Sequence, residues 1–459
     1  MTSIDTLPDD VLLEVFNSYG YDDDDQYGEK REMAWQTLVH VCRRWRCIVF
    51  GSPRHLNLQL VCTTRTPARD MLYVWPALPL IVVFHGDTRR MDDIIAALEC
   101  TDRVCRITLD IVRSLDFEMF LAAMQQPFPE LTHLTLWSDE AVVPDSFLGG
   151  SAPRLESLKL VGVPFPGLSK LLLSATHLVN LYLYNIPHSG YISPDRMVAV
   201  LSTLTSLEDL LLSFESYPER ASRRPPPNTR SVIPVLTYFL FNGVSEYLDD
   251  LVACIDAPQL NRMLITFFYD IVFDTPQLVR FISHTPMSKA LEKAFITFQD
   301  RAARISFLSQ TSRDGMFYVE ILCGGLDLQV PSLEQVCTSC LPPLYMLEDL
   351  HLHEDSYSPP DWKDSIENRQ WLELFRSFLT VKNLYLSANF ASRIAPALQE
   401  LIEGRTTDVL PALQNIFLKG LGSSGSVQES IGQLVATRQV ANHPISIFPW
   451  TDSEEGRVI

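Results

Sequence analysis

The 459-residue sequence is poor in the local signatures that mark common enzyme chemistries. No phosphate-cradling glycine-rich loop, nucleophile elbow or HExxH helix occurs along it. Its first residues, MTSIDTLPDD, carry neither a positive segment nor an apolar one, so no secretory signal is expected. Long hydrophobic runs are missing as well. The longest, from Tyr73 to Phe84, is interrupted by Pro76 and Pro79 and is too short to cross a bilayer, which argues against a membrane partner. Basic charge is also scarce: 37 Lys and Arg stand against 56 Asp and Glu. The resulting net charge of −19 repels phosphate backbones, speaks against nucleic acid and favours a basic protein surface as partner. The nine cysteines are odd in number, and Cys42, Cys105 and Cys323 fall inside apolar patterns. That usage fits reduced thiols and a cytoplasmic or nuclear setting.

What is present is apolar material. Hydrophobic residues make up 46% and charged residues 20%, enough to bury a large core and too little charge for extensive disorder. Near the start, IDTLPDDVLLEVFNSYG predicts a helix opening at Pro8, with Asp9 and Asp10 in its positive first turn. Val11, Leu12, Val15 and Phe16 form one apolar stripe, with Leu7 just ahead. A second helical stretch, WQTLVHVCRRWRCIVF, spaces Trp35, Leu38, Cys42, Trp45 and Val49 three or four apart. These are more large apolar side chains than fifty residues can hide alone, so part of that surface should meet another protein.

LPDDVLLEVF followed by LVHVCRRW resembles an F-box, a small all-α three-helix module. The connection between the two halves, YDDDDQYGEKREM, is longer than is usual in that family. The resemblance implies binding to a Skp1-like adaptor and, through it, to a cullin scaffold. It places the adaptor-facing positions at Leu7, Pro8, Leu12, Val15, Phe16, Leu38, Val41, Cys42, Arg44 and Trp45.

From residue 104 a leucine-x-x-leucine-x-leucine pattern returns twelve times, beginning at Val104, Leu131, Leu155, Leu178, Leu207, Leu236, Leu260, Leu291, Met316, Leu347, Val381 and Leu413. Starts separated by 23 to 34 residues fit stacked repeats, each a short strand followed by a connection such as DFEMFLAAMQQ or SPDRMVAVLSTL that can form a helix. The expected fold is α/β, a leucine-rich-repeat solenoid with a parallel concave sheet and convex helices, preceded by the helical module. The chain then divides into residues 1–53 as F-box, 54–103 as linker and cap or irregular first repeat, and 104–459 as repeats with a final strand near Ile445 to Phe448 and an acidic tail. The sequence is similar to F-box/leucine-rich-repeat proteins, although the usual repeat asparagine is clear only at Asn389.

Period two in each strand turns the second and third apolar positions inward and the residue between them outward. That outward column reads Thr108, Thr135, Lys159, Tyr182, Leu211, Leu240, Leu264, Phe295, Glu320, His351, Tyr385 and Phe417. Its apolar middle, Tyr182, Leu211, Leu240, Leu264 and Phe295, is the expected target-binding patch; a covering segment or a one-residue slip in register is the competing explanation. No cofactor or metal is expected. Asp22 to Asp25 lack a glycine-punctuated calcium loop, and Cys337 and Cys340 should end a helix while His351 and His353 sit on the opposite side of the sheet. The Arg/Pro-rich stretch at residues 217–230 reads as an exposed insertion. The expected function is a non-catalytic, substrate-recognition subunit of a Skp1-cullin-F-box ubiquitin ligase holding an unknown protein target. The alternative is an interaction scaffold or inhibitor whose F-box does not drive degradation.

Overall fold

Pro8 opens a helix at no cost in hydrogen bonds, and the carboxylates of Asp9 and Asp10 favour its first turn. In the computed structural model this is α1 (Asp9–Tyr19). The model describes residues 7–19, 34–53, 55–86, 91–110, 114–138, 142–215, 230–268, 275–289, 292–308, 315–342, 344–355, 357–360, 366–400, 409–419, 425–440 and 443–450. The stretch from Trp35 to Phe50, expected as one helix, is broken into α2 (Ala34–Val41) and α3 (Arg43–Gly51). Cys42 causes the break. Its backbone is extended (φ −157°, ψ 170°), and its Sγ accepts the Trp45 N–H at 3.5 Å, capping α3. Leu12, Phe16, Leu38, Val39 and Val49 are buried, and the Phe16 ring meets Trp45 at 4.8 Å.

These helices belong to the first of two compact units, Met1–Ile192. After them come β1 (Leu60–Cys62), α4 (Ala68–Val74), β2 (Leu80–His85), α5 (Met91–Leu98), β3 (Val104–Asp110), α6 (Ser114–Ala123), β4 (His133–Trp137), β5 (Ser157–Val161), α7 (Leu168–Ser174) and β6 (Asn180–Ile186). The six strands pair in parallel and in chain order. The parallel sheet therefore begins at Leu60, within the region expected as linker and cap or irregular first repeat. An aromatic cluster docks the helices to the sheet's first segment: Trp35 donates through Nε1 to the Gln59 carbonyl at 3.0 Å and meets Trp75 edge-on at 5.3 Å.

The second unit, Ser193–Ile459, opens with α8 (Pro194–Leu201), β7 (Asp209–Phe214), β8 (Ser231–Val232), β9 (Tyr238–Gly243), α9 (Ser245–Ala253), β10 (Ile255–Asp256), β11 (Arg262–Phe268) and α10 (Pro276–Ser283). It continues through β12 (Lys293–Phe298), β13 (Ala302–Leu308), β14 (Met316–Leu322), α11 (Leu326–Ser339), β15 (Asp349–Glu354), α12 (Asn368–Arg376), β16 (Asn383–Leu386), α13 (Ala388–Glu400), β17 (Asn415–Lys419), α14 (Gly425–Val440) and β18 (Ser446–Trp450). Ten of its strands form one sheet in the order β7-β9-β11-β14-β13-β12-β15-β16-β17-β18, while β8 and β10 pair separately. In both units the inward positions of the repeats are buried, from Ile107 and Leu109 through Ile416 and Leu418. This is the leucine-rich-repeat arrangement: short parallel strands whose apolar side packs under the connecting helices. Among the described residues no helix is long and apolar enough to cross a membrane.

One segment departs from simple stacking in chain order. β13 runs antiparallel to both β12 and β14, so these three strands form a meander inserted between β11 and β15. The sequence AARISFL alternates strictly: Ala303, Ile305 and Phe307 are buried, whereas Arg304 and Ser306 lie on the other face. The Gln299 N–H closes the turn onto the Ala302 carbonyl at 2.8 Å. The connections through α10 and α11 must then each cross three strand spacings, about 14 Å. At 14 residues α11 is about 21 Å long. The insertion also corrects a register, because Phe317 and Val319 align with Met263 and Ile265. The outward residue equivalent to Leu264 on β14 is Tyr318, not Glu320.

Because Ile305 is fully buried in a strand paired on both sides, Ile305→Ala should lower unfolding stability by about 2–4 kcal/mol in urea titration. A change below about 0.5 kcal/mol would place residues 302–308 outside the core.

Candidate partner-binding faces

Three surfaces carry the residues singled out from the sequence. On the N-terminal helices, Leu12, Phe16 and Leu38 are taken up by the core, while Pro8, Val15 and Val41 are exposed and Leu7, Cys42, Arg44 and Trp45 are half-buried. Val11, one turn before Val15 on α1, is exposed as well. The apolar stripe of α1 is thus split: Leu12 and Phe16 point inward, and Val11 and Val15 line a neighbouring strip open to water. Arg44 ties the start of α1 to α3. Its guanidinium donates to the Asp9 carboxylate at 2.6 Å and to the Leu7 carbonyl at 2.5 Å.

The second surface is the sheet face opposite the helices in the first unit. Cross-strand register sets Thr108, Thr135, Lys159 and Tyr182 in one row, flanked by Arg106, His133, Ser157 and Asn180 on one side and Asp110, Trp137, Val161 and Tyr184 on the other. The Lys159 ammonium sits between two rings, 5.2 Å from the centre of Trp137 and 5.3 Å from that of Tyr184. Trp137 is 41% exposed. Desolvation lowers the His133 pKa and Arg106 adds to that shift, so His133 supplies no additional positive charge at neutral pH.

The corresponding face of the second unit differs from the sequence column in two ways. Leu211 is buried, 2% exposed, and so is not an open contact. Leu240 and Leu264 are adjacent and half-buried, but Phe295 does not follow them, because β14 and β13 bring Tyr318 and Ser306 in between. The apolar run expected from Tyr182 to Phe295 is therefore interrupted between Leu264 and Phe295. Phe295 instead begins an aromatic ladder. It stacks on His351 at 4.4 Å, His351 on Tyr385 at 4.0 Å, Tyr385 on Phe417 at 4.4 Å and Phe417 on Phe448 at 5.3 Å. Trp450 presents its ring at a steep angle to both His351 and Tyr385, 5.8 Å and 5.7 Å away. Parallel in-register strands make this possible, since identical positions lie about 4.8 Å apart, close to a comfortable ring-stacking distance.

Polar ladders run beside the rings. Lys293 pairs with Asp349 at 3.3 Å, Asn383 donates to Asp349 and Asn415 to Asn383, each at 2.7 Å. On the other side Arg304 pairs with Glu320 at 3.3 Å and lies over the Tyr318 ring at 4.9 Å. His353 shares a hydrogen bond with Thr297 at 3.0 Å. His351 has neither ring nitrogen hydrogen-bonded. Burial holds its pKa down at about 4, against the opposing pull of Asp349, and burial lowers His353 as well. Cys337 and Cys340 lie at the end of α11, both buried, with their thiols pushed up by desolvation; Cys340 Sγ accepts the Thr275 hydroxyl at 3.1 Å. The cysteines and the two histidines are not brought together. Among the described residues no group of three or more His, Cys, Asp or Glu could hold a metal. Asp22 to Asp25 and residues 217–229 lie outside the described residues, and Arg230, just after them, pairs with Asp256 at 3.0 Å.

The features missed from sequence, β13 and the unbroken ladder, had a signal. Two alternating runs, KAFITF and AARISFL, separated by three residues read as a hairpin. No family model matches the chain, and no curated protein does. Among known structures, it is similar to the leucine-rich repeat-containing protein LegL7 from Legionella pneumophila, with 12% identity, 82% of this chain and 97% of that chain covered, and a TM-score of 0.29.

His351 stays neutral in the folded chain, whereas in the unfolded chain it takes a proton near pH 6.5. Its contribution to stability is full above pH 6.5 and is lost as pH falls toward 4. His351→Phe, which keeps a ring in the ladder, should make the stability lost between pH 6.5 and 5 smaller by about 2 kcal/mol, read from urea midpoints. An unchanged pH dependence would mean that the imidazole is solvated.

Proposed function

We propose that the chain is the non-catalytic receptor subunit of a Skp1-cullin-F-box ubiquitin ligase. The N-terminal helices would bind a Skp1-like adaptor, and the outward sheet faces would bind a protein target. The observation that carries the reading is the surface of the small helical part: Pro8, Val11, Val15 and Val41 remain exposed although the segment already buries Leu12, Phe16 and Leu38. Apolar side chains left open on so small a unit favour a partner that covers them. The Leu-Pro start, the Arg44 tie to Asp9 and the Trp45 contact with Phe16 support the resemblance to an F-box.

In this role the chain performs no chemistry and needs no cofactor. It brings a target to catalytic partners, and its contribution to rate is proximity and orientation. It would work in the cytoplasm or nucleus, where its nine free thiols stay reduced.

Affinity purification of the full chain beside a Val15→Asp/Val41→Asp variant tests the reading. Both substitutions fall on exposed positions and should leave thermal unfolding within about 0.5 kcal/mol of the parent. The parent should retain Skp1-like and cullin chains and the variant should lose them. If neither form retains an adaptor, the receptor reading falls.

A further inference from the structure

The net charge of −19 points to a basic partner, yet the outward face of the first unit has the opposite local balance. Across β3 to β6, among the described residues, that face presents Arg106 and Lys159 against a single carboxylate, Asp110, which stands two strands away from Lys159. The cation is also held in place. Lys159 lies between the rings of Trp137 and Tyr184 at 5.2 and 5.3 Å, and among the described residues no carboxylate pairs with it. Attraction to the ring faces fixes the ammonium without using up its three N–H donors. The rotamer freedom that a surface lysine normally loses on binding is already restricted here. The neighbouring Tyr182 and Tyr184, 6.4 Å apart, and the half-open Trp137 add the aromatic anchors that tend to dominate binding energy.

From this we infer that the first unit's outward face is a binding site for an extended, acidic peptide segment of a partner protein, with a carboxylate on Lys159 and a second on Arg106. Two strand spacings plus one step along the strands separate the two cations by roughly 10–12 Å, the length of about three residues of extended chain. The preferred segment is therefore an extended chain of the polyproline-II type, in which every third side chain shares a side, and it carries acidic residues at every third position with a ring or aliphatic side chain between them near Trp137. An ammonium approached by a carboxylate in this partly dry setting makes a charge-assisted hydrogen bond, stronger than a neutral one. The inference deepens the target-receiving half of the proposed function and does not depend on the adaptor half.

The test uses the full chain and fluorescein-labelled heptapeptides read by anisotropy. Glu-Ala-Tyr-Glu-Ala-Tyr-Glu should bind saturably and weaken as salt rises, whereas Lys-Ala-Tyr-Lys-Ala-Tyr-Lys and a single-stranded oligothymidine should not bind. Lys159→Glu should weaken the acidic peptide at least about tenfold, equivalent to about 1.4 kcal/mol, and Lys159→Arg should keep most of the affinity. Thermal unfolding of both variants should match the parent. Unchanged affinity in Lys159→Glu, or tighter binding of the basic peptide or the oligonucleotide, overturns the inference. Acidic-peptide binding by a chain that retains no adaptor would leave the inference standing and remove the receptor reading instead.

Discussion

The repeat strands of this protein, from β3 to β17, carry two apolar side chains on one face and have no means of hiding them alone. Pairs such as Leu134 and Leu136 or Leu384 and Leu386 are buried only because a helical connection packs beneath them and another strand lies alongside. That one-sided burial constrains everything else. It fixes the register, since a slip of one residue would turn every leucine to water. It also fixes the opposite face, where residues one position away are forced outward and into rows.

Those rows acquire different chemistry in the two units. In the first, two threonines, a lysine and a tyrosine follow one another in chain order, and the lysine settles between two rings. In the second, rings occupy five successive positions from β12 to β18, and stacking at strand spacing joins Phe295, His351, Tyr385, Phe417 and Phe448. His351 is part of that stack as a flat aromatic body. Burial between Phe295 and Tyr385 keeps it neutral, so its role at neutral pH is packing and not charge. The antiparallel meander makes the ladder possible in this form, because with β14 and β13 standing between β11 and β12, β12 lies directly beside β15.

Charge, likewise, has to be read locally. The excess of acid over base is a property of the chain as a whole, yet on the sheet faces carboxylates such as Asp349 and Glu320 are paired with Lys293 and Arg304. Lysine and arginine are also laid over rings, as at Lys159 and at Arg262 over Tyr238. Net charge governs solubility and long-range approach, whereas contact specificity depends on which side chains share a face.

The sequence by itself determined the repeat, its period and its inward side chains, because alternation and leucine spacing are local properties that each strand satisfies within five to seven residues. It also determined that Leu12, Phe16 and Leu38 are apolar helix positions. Only the tertiary structure decided which of them point inward and which of Val11, Val15 and Val41 stay open. The break at Cys42 was hidden because three-and-four spacing continues through it, while the capping sulfur reveals itself only in the extended backbone. The run expected from Tyr182 to Phe295 is interrupted for a non-local reason. The three-residue gap between KAFITF and AARISFL marks a hairpin, but local spacing does not record that the far edge of β13 pairs with β14, which sets Ser306 between Phe295 and Tyr318.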